Sequence, residues 1–129
     1  SVYYNLLEPA IIQQAIELAN NGNTQGAIEL LKNQMTQTQD PVSIASLSLN
    51  IGSLYYNSDD FNQAVTYFRK VVDQPQVDVL TLEKGYWFLG NTYFQMGRLN
   101  DARKAIRNAY DLNGAYRRVA KSYLDALSE

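Results

Sequence analysis

An internal repeat is the feature that most limits what this chain can fold into. When residues 47–71 are placed over residues 85–109, glycine, tyrosine, alanine and large apolar positions coincide, and a weaker third copy lies upstream. Three pairs of small residues share a separation of twelve positions: Ala15 and Ala27, Gly52 and Ala64, Gly90 and Ala102. Repeats of this length form supersecondary units that bury their apolar faces only against neighbours. The chain is therefore expected to be a stack of about three similar units.

The apolar residues within each copy follow a helical period. In IIQQAIELA and FNQAVTYFRKVV they recur at three and four positions, which is the spacing of one helix face. Clusters of Gly, Pro, Asn and Asp separate these runs, among them Asp40 followed by Pro41, and Gly97. We predict an all-α chain with seven helices at about 8–21, 24–37, 41–57, 61–73, 79–96, 99–112 and 115–128.

Composition removes several classes of function. The 129 residues include neither cysteine nor histidine, so the usual thiolate nucleophile, general base and commonest metal ligand are missing. We expect no catalytic residue, no metal site and no cofactor, and a net charge of -2 does not indicate a nucleic-acid partner. Because the sequence begins at Ser1, we expect a piece of a longer protein, either cytoplasmic or a soluble domain exposed in the periplasm or envelope. No apolar run is long enough for this segment to insert into a membrane.

The order of the repeated positions resembles the tetratricopeptide repeat (TPR) family. The third copy carries the pattern best, with Tyr86, Leu89, Gly90 and Tyr93 at successive family positions. The resemblance covers nearly the whole chain and implies a right-handed α-solenoid of antiparallel helix pairs. The repeats it implies lie at approximately 8–40, 45–77 and 83–113, followed by a capping helix at 115–128.

The copies also depart from the family pattern. They are 37 and 38 residues apart, whereas the family period is about 34 residues. The closing proline is displaced to Pro41 and Pro75. We infer an extra helical turn or a longer loop between repeats. Within a repeat, we expect the small residue of the first helix to face the alanine of the second helix, so that the two backbones approach closely.

The resemblance places one side of each first helix on the concave surface of the superhelix. In the third copy this side carries Trp87, Asn91 and Phe94, at positions i, i+4 and i+7. We predict a groove floored by aromatic and aliphatic residues, with an amide for a peptide backbone and lysines that attract acidic groups. A non-enzymatic interaction module would bind a segment of a protein partner there. The predicted groove residues are Leu49, Ser53, Tyr56, Lys84, Trp87, Asn91, Phe94, Arg118 and Lys121.

Two alternatives remain open at this point. The segment SVYYNLL or a second copy of the chain could cover the concave face, with Ile12 and Ile16 as the self-association residues of a homodimer. The chain would then be an oligomerising or regulatory accessory domain of a larger bacterial protein, for example one associated with the envelope. A carboxylate clamp of the kind some family members carry is at best partial, because the first two copies offer Ile12, Ile16, Leu49 and Ser53 at the corresponding places.

Two charged motifs receive structural interpretations. Asp59 and Asp60 lie between two predicted helices, where helix capping explains them better than acid–base chemistry. Arg103, Lys104 and Arg107 form a basic stripe on the sixth helix that could meet phosphate or anionic lipid, but a solvated helix face is the interpretation we favour.

Overall fold

The computed structural model describes the backbone of residues 2–127 and the side chains from Pro9 onward. This part of the chain contains seven helices and no strand, which confirms the all-α prediction. The helices are α1 (Val2–Asn20), α2 (Thr24–Met35), α3 (Pro41–Asn57), α4 (Phe61–Val72), α5 (Val79–Gln95), α6 (Leu99–Asp111) and α7 (Arg117–Leu127). They pack as successive pairs, α1 with α2, α3 with α4 and α5 with α6, and α7 closes the stack against α6.

Aspartate side chains begin three of the helices. Asp40 accepts a hydrogen bond from the N–H of Val42, and Pro41 is the first residue of α3, as the sequence predicts. Asp60 and Asp78 accept from N–H groups in the first turns of α4 and α5. Asp59, which we expected to cap as well, instead lies in the turn before Asp60 with a φ of 59°.

The same turn joins the helices within each of the three pairs. Its middle residue is Gly22, Asp59 or Gly97, each with a positive φ, and the next residue donates its N–H to a carbonyl five positions back. In the third pair this is the bond of 2.9 Å from Arg98 N to Tyr93 O. This pattern satisfies carbonyls at the helix end and needs a residue that tolerates the left-handed region.

The connections between pairs are longer than those within pairs. Residues 36–40 and 73–78 join successive pairs, whereas only residues 21–23, 58–60 and 96–98 join the helices within pairs. The longer period of this chain therefore lies at least partly in the loops between pairs. Two helix starts also differ from the prediction, because α1 begins at Val2 and includes Pro9, and α7 begins at Arg117. The predicted last residue of α7, at 128, lies outside the described residues.

The core consists of two clusters of buried side chains. The first joins α1, α2 and α3 through residues such as Ala15, Leu31 and Ile51, and the second joins α3 to α6 through residues such as Phe68, Leu89 and Ala102. Tyr55 packs against both clusters. The two halves of the solenoid therefore share an apolar contact at this tyrosine.

Close packing between paired helices follows the repeat glycines. A Cβ added at Gly52 would lie 2.6 Å from the ring of Phe68, and one added at Gly90 would overlap the side chain of Ile106. The nearest side chain to each of these glycines thus belongs to the large residue one turn beyond the expected alanine. The carbonyl oxygen of Ala102 lies 3.2 Å from a Cβ at Gly90, so the backbone of the expected alanine also approaches closely in the third pair.

Candidate functional site

A cavity on the surface shared by α3 and α5 brings four of the predicted groove residues together. It has a volume of about 360 Å³ and is lined by Ser53, Tyr56, Asn57, Phe68, Trp87, Phe88 and Asn91. We call this cavity the groove pocket. The repeat spacing accounts for the convergence, because equivalent positions on neighbouring first helices lie side by side in a solenoid.

Aromatic rings from α7 extend the groove beyond α5. The ring of Tyr123 meets Trp87 edge to face at a centroid distance of 5.5 Å and meets Phe94 in the same way, also at 5.5 Å. Tyr116 lies 6.0 Å from Trp87. Burial and, secondly, the nearby Tyr56 raise the pKa of Tyr123. Phe94 nevertheless remains 42% exposed.

A buried acid fixes the start of α7 beside the groove. Glu83 on α5 is only 1% exposed, and its Oε2 accepts the backbone N–H of Tyr116 at 3.1 Å. Tyr116 in turn accepts the first hydrogen bond of α7, from Ala120, so the carboxylate lies at the positive end of the helix dipole. Gly114 allows the close approach, because a Cβ there would overlap the Glu83 carboxylate.

An arginine meets the opposite end of α7. Arg103 on α6 donates to the carbonyl oxygen of Leu127 at 2.8 Å and to Asn100 at 2.9 Å. A cation near the last carbonyls of a helix complements its dipole. Glu83 and Arg103 together therefore hold α7 in place against α5 and α6.

Sequence reasoning missed the role of Glu83. In the repeat alignment Glu83 corresponds to Ala45 of the second copy, and Ala45 is fully buried. An acid at this core position is the signal that the sequence offers. A charged residue at a core position of a repeat indicates a specific partner, since burial of an unpaired charge is costly. Tyr116 was also missed, although it lies within the predicted helix 115–128 at i-4 from the buried Ala120.

Polar groove residues make hydrogen bonds within their own helices. The side-chain amide of Asn91 donates to the carbonyl oxygen of Trp87 at 2.8 Å, and the Ser53 hydroxyl donates to Leu49 at 2.9 Å. An asparagine amide has two N–H donors and one acceptor oxygen. Asn91 would therefore present its second N–H and its Oδ1 to a ligand, whereas the Ser53 hydroxyl retains only its acceptor capacity.

The remaining predicted residues do not line the groove pocket. Leu49 is half-buried and packs against the second core cluster. Lys84 is half-buried and makes a small contribution to the lowered pKa of Asp78, which comes mainly from hydrogen bonds donated by Thr81. Arg118 and Lys121 are exposed and lie roughly 140° and 160° around α7 from Tyr123. Lys121 also pairs with Asp125 at 3.1 Å, so neither cation borders the groove pocket.

The first pair contributes a smaller adjoining cavity. This space of about 160 Å³ between α1 and α3 is lined in part by Ile16 and Ala19, and it shares Ser53 and Asn57 with the groove pocket. Ile16 is 39% exposed, whereas Ile12 is half-buried and packs against the first core cluster. The side chains of SVYYNLL, which we considered as a cover for this face, lie outside the described ones.

Comparison with protein families agrees with this architecture. A family model described as "Tetratricopeptide repeat" matches residues 45–75 and 83–116, which is half of the chain. The chain belongs to the tetratricopeptide repeat family. TPR domains are typically non-catalytic scaffolds for protein–protein interaction, and the helix pairs described above form an α-solenoid of this class. The search of curated proteins gave no match. No helix within residues 2–127 has the length and apolar character needed to span a membrane.

Proposed function

We propose that this TPR domain is a non-enzymatic interaction module that binds a peptide segment of a partner protein in its groove. The observation that carries the proposal is the groove pocket, in which Tyr56 and Trp87 from neighbouring repeats face one opening of about 360 Å³ beside the amides of Asn57 and Asn91. Tyrosine and tryptophan are the residues most enriched at binding hot spots.

The pocket favours an apolar anchor from the partner. Its lining residues are aromatic, amide or hydroxyl residues without a formal charge. A large apolar side chain would fill the space between Tyr56 and Trp87, and its flanking backbone would hydrogen-bond to the amides of Asn57 and Asn91. A small apolar residue of the same segment would enter the adjoining cavity next to Ile16.

The test is selection of binding peptides from a random library displayed on phage, followed by titration of the selected peptides. We expect binding to change the fluorescence of Trp87, which is the only tryptophan. Tyr56→Ala should weaken affinity at least about tenfold, the loss expected of a hot-spot residue. The matched control is Tyr110→Ala, because Tyr110 lies on α6 away from the pocket. Equal affinity of the Tyr56→Ala variant and the wild type for every selected peptide would refute the proposed site.

Self-association is a second candidate, supported by the exposure of Ile16 at the N-terminal end of the groove. In this case a second copy covers the adjoining cavity, and the domain serves as an oligomerising or regulatory element of a larger protein. Measurement of the oligomeric state separates the two candidates, as described in the Discussion.

A further inference from the structure

The junction between the first two pairs shows how a tyrosine fills the space behind the groove. The ring of Tyr67 on α4 stacks on Tyr55 of α3 at a centroid distance of 5.7 Å. Lys32 of α2 donates to the Tyr55 hydroxyl at 2.8 Å and lies 5.6 Å from the Tyr67 ring centre. The Tyr55 hydroxyl raises the pKa of Lys32, as expected for a cation that is well accommodated there.

The next junction has the same components but lacks one ring. By the repeat alignment, Arg69 corresponds to Lys32 and Tyr93 to Tyr55, while Ala105 stands where the second copy has Tyr67. The structure has a cleft of about 290 Å³ at this place, between α4, α5 and α6, whose lining includes Arg69, Tyr93 and Ala105. We call it the outer cleft. The exchange of a tyrosine for an alanine explains why space is open here and filled one repeat earlier.

The outer cleft carries an excess of positive charge. Its lining includes Arg69, Arg98 and Lys104 and a single acid among the described residues, Asp101. Arg98 already pairs with Asp101 at 2.7 Å, and its guanidinium lies 4.8 Å from the centre of the Tyr93 ring. The exposed cations Arg69 and Lys104 are therefore the ones that face an incoming ligand.

The repeat scaffold does not require a cation at position 104. The equivalent residues in the other two copies are Glu29 and Thr66, and both copies form the same helix pair. Lys104 also borders a second hollow of about 360 Å³ with Arg103 and Arg107, so positive charge continues along the surface of α6. Positive charge that folding does not require would attract a negatively charged partner.

We propose that the outer cleft binds an acidic segment of another protein that inserts one aromatic side chain. The inserted ring occupies the space that Tyr67 fills one repeat earlier and packs beside Tyr93. Carboxylates on either side of this ring pair with Arg69 and Lys104. The outer cleft shares no lining residue with the groove pocket, so the two sites are independent.

Titration of the whole chain with short synthetic peptides tests this proposal. The probe is Gly-Asp-Glu-Tyr-Glu-Asp-Gly, and its comparison peptide has alanine in place of tyrosine. We expect amide chemical shifts to change at residues 69, 93 and 104 on addition of the probe, and the alanine peptide to bind more weakly. Lys104→Thr, which introduces the residue of the second copy, should weaken binding about two- to fivefold. Lys70→Thr is the control, since Lys70 is an exposed cation on α4 outside the cleft lining.

A variant that closes the cleft provides a second test. Ala105→Tyr restores the residue of the second copy and should abolish binding of the probe. If this variant does not fold, Arg69→Gln replaces it and should weaken binding to a similar extent as Lys104→Thr. Trp87→Ala should leave the affinity for the probe unchanged, which separates this site from the groove.

Three results would overturn the proposal. One is equal binding of the tyrosine and alanine peptides, because the cleft would then not recognise a ring. Another is unchanged affinity in both Lys104→Thr and Arg69→Gln. The third is shift changes at residues 69, 93 and 104 with inorganic phosphate or with vesicles of phosphatidylserine, but none with the peptide.

Discussion

At the scale of single residues, Glu83 links the core to the groove. Its side chain is almost fully buried and accepts a hydrogen bond from the backbone N–H of Tyr116. Since Tyr116 and Tyr123 both contact Trp87, the position of the groove wall depends on this hydrogen bond. A residue on the buried side of α5 thus controls rings on the exposed side.

Replacement of Glu83 by alanine should both destabilise the fold and uncover Trp87. A hydrogen bond to a charged group contributes about 1.5–3 kcal/mol, so we expect the free energy of unfolding to fall by about 2 kcal/mol. Urea unfolding measures this loss. The emission maximum of Trp87 should shift to longer wavelength in the folded variant, because the start of α7 is released from α5.

Lys121→Ala is the control for this prediction. It removes a charge of α7 whose pair with Asp125 is exposed on both sides, so the loss of unfolding free energy should stay below about 1 kcal/mol. If Glu83→Ala leaves the Trp87 emission unchanged, α7 does not depend on Glu83 for its position.

The sequence could identify Tyr56, Trp87, Ser53 and Asn91 as neighbours, because each occupies an equivalent place on a repeated helix. It could not show that Asn91 and Ser53 bond to their own helices, since such bonds depend on side-chain rotamers. The prediction that Arg118 and Lys121 border the groove did not use the helical period fully, which by itself puts them roughly 140° and 160° around α7 from Tyr123.

At the scale of the helix element, the turn within each pair is a repeated unit that tolerates few residues at its centre. Gly22, Asp59 and Gly97 all have φ values between 59° and 88°. Glycine adopts this region without strain, whereas aspartate and asparagine adopt it less readily and alanine rarely.

Gly97→Ala should therefore lower the free energy of unfolding by about 1 kcal/mol. A Cβ at Gly97 would have no neighbouring atom within 4 Å. Any loss of unfolding free energy would therefore come from the backbone conformation and not from a clash. Thermal unfolding of this variant, beside Asp59→Gly at the equivalent turn, checks the prediction. Asp59→Gly should not destabilise the protein. Equal losses of unfolding free energy in both variants would contradict the role given to the positive φ at the centre of the turn.

The start of α5 should contribute a pH-dependent part of the stability. Hydrogen bonds from Thr81 lower the pKa of Asp78 below its ordinary value. A carboxylate with a lowered pKa in the folded state adds stability above its unfolded pKa, and this stability is lost as the pH falls through the folded pKa. We therefore expect less acid sensitivity below about pH 4 in Asp78→Asn, which keeps a capping residue without a titrating group.

Urea unfolding at pH 7 and pH 3 measures this effect. The difference in unfolding free energy between the two pH values should be smaller in Asp78→Asn than in the wild type. Asp73→Asn serves as the control, because Asp73 follows α4 and its side chain does not cap a helix start. An equal pH dependence of Asp78→Asn and the wild type would argue against the cap.

At the scale of the whole molecule, the fold was the most predictable property. Small residues twelve positions apart, helical periods and turn residues all indicate the same stack, and a local error in one copy is corrected by the others. The outer cleft could not be predicted in this way, since its space depends on three helices and on a ring that is missing.

The oligomeric state distinguishes the two candidate functions of the domain. Self-association through the N-terminal end of the groove predicts a molecular mass that increases with concentration in light scattering. Ile16→Glu should then restore the monomer, because Ile16 is exposed and its replacement costs little core packing. If the wild type is a monomer at every concentration, self-association is refuted and the peptide-binding function is the one that remains.

The contact of Tyr55 with both core clusters has a consequence for the survival of the protein under proteolysis. The first cluster joins α1 and α2 to one face of α3, whereas α3 to α6 are held together by the second. Neighbouring units of a solenoid can open separately from one another. A protease should therefore cut first in the loop of residues 36–40, while α1 and α2 are briefly detached. The fragment that remains would keep Tyr56, Trp87 and the outer cleft, and loss of the first pair would shorten the binding domain without destroying it.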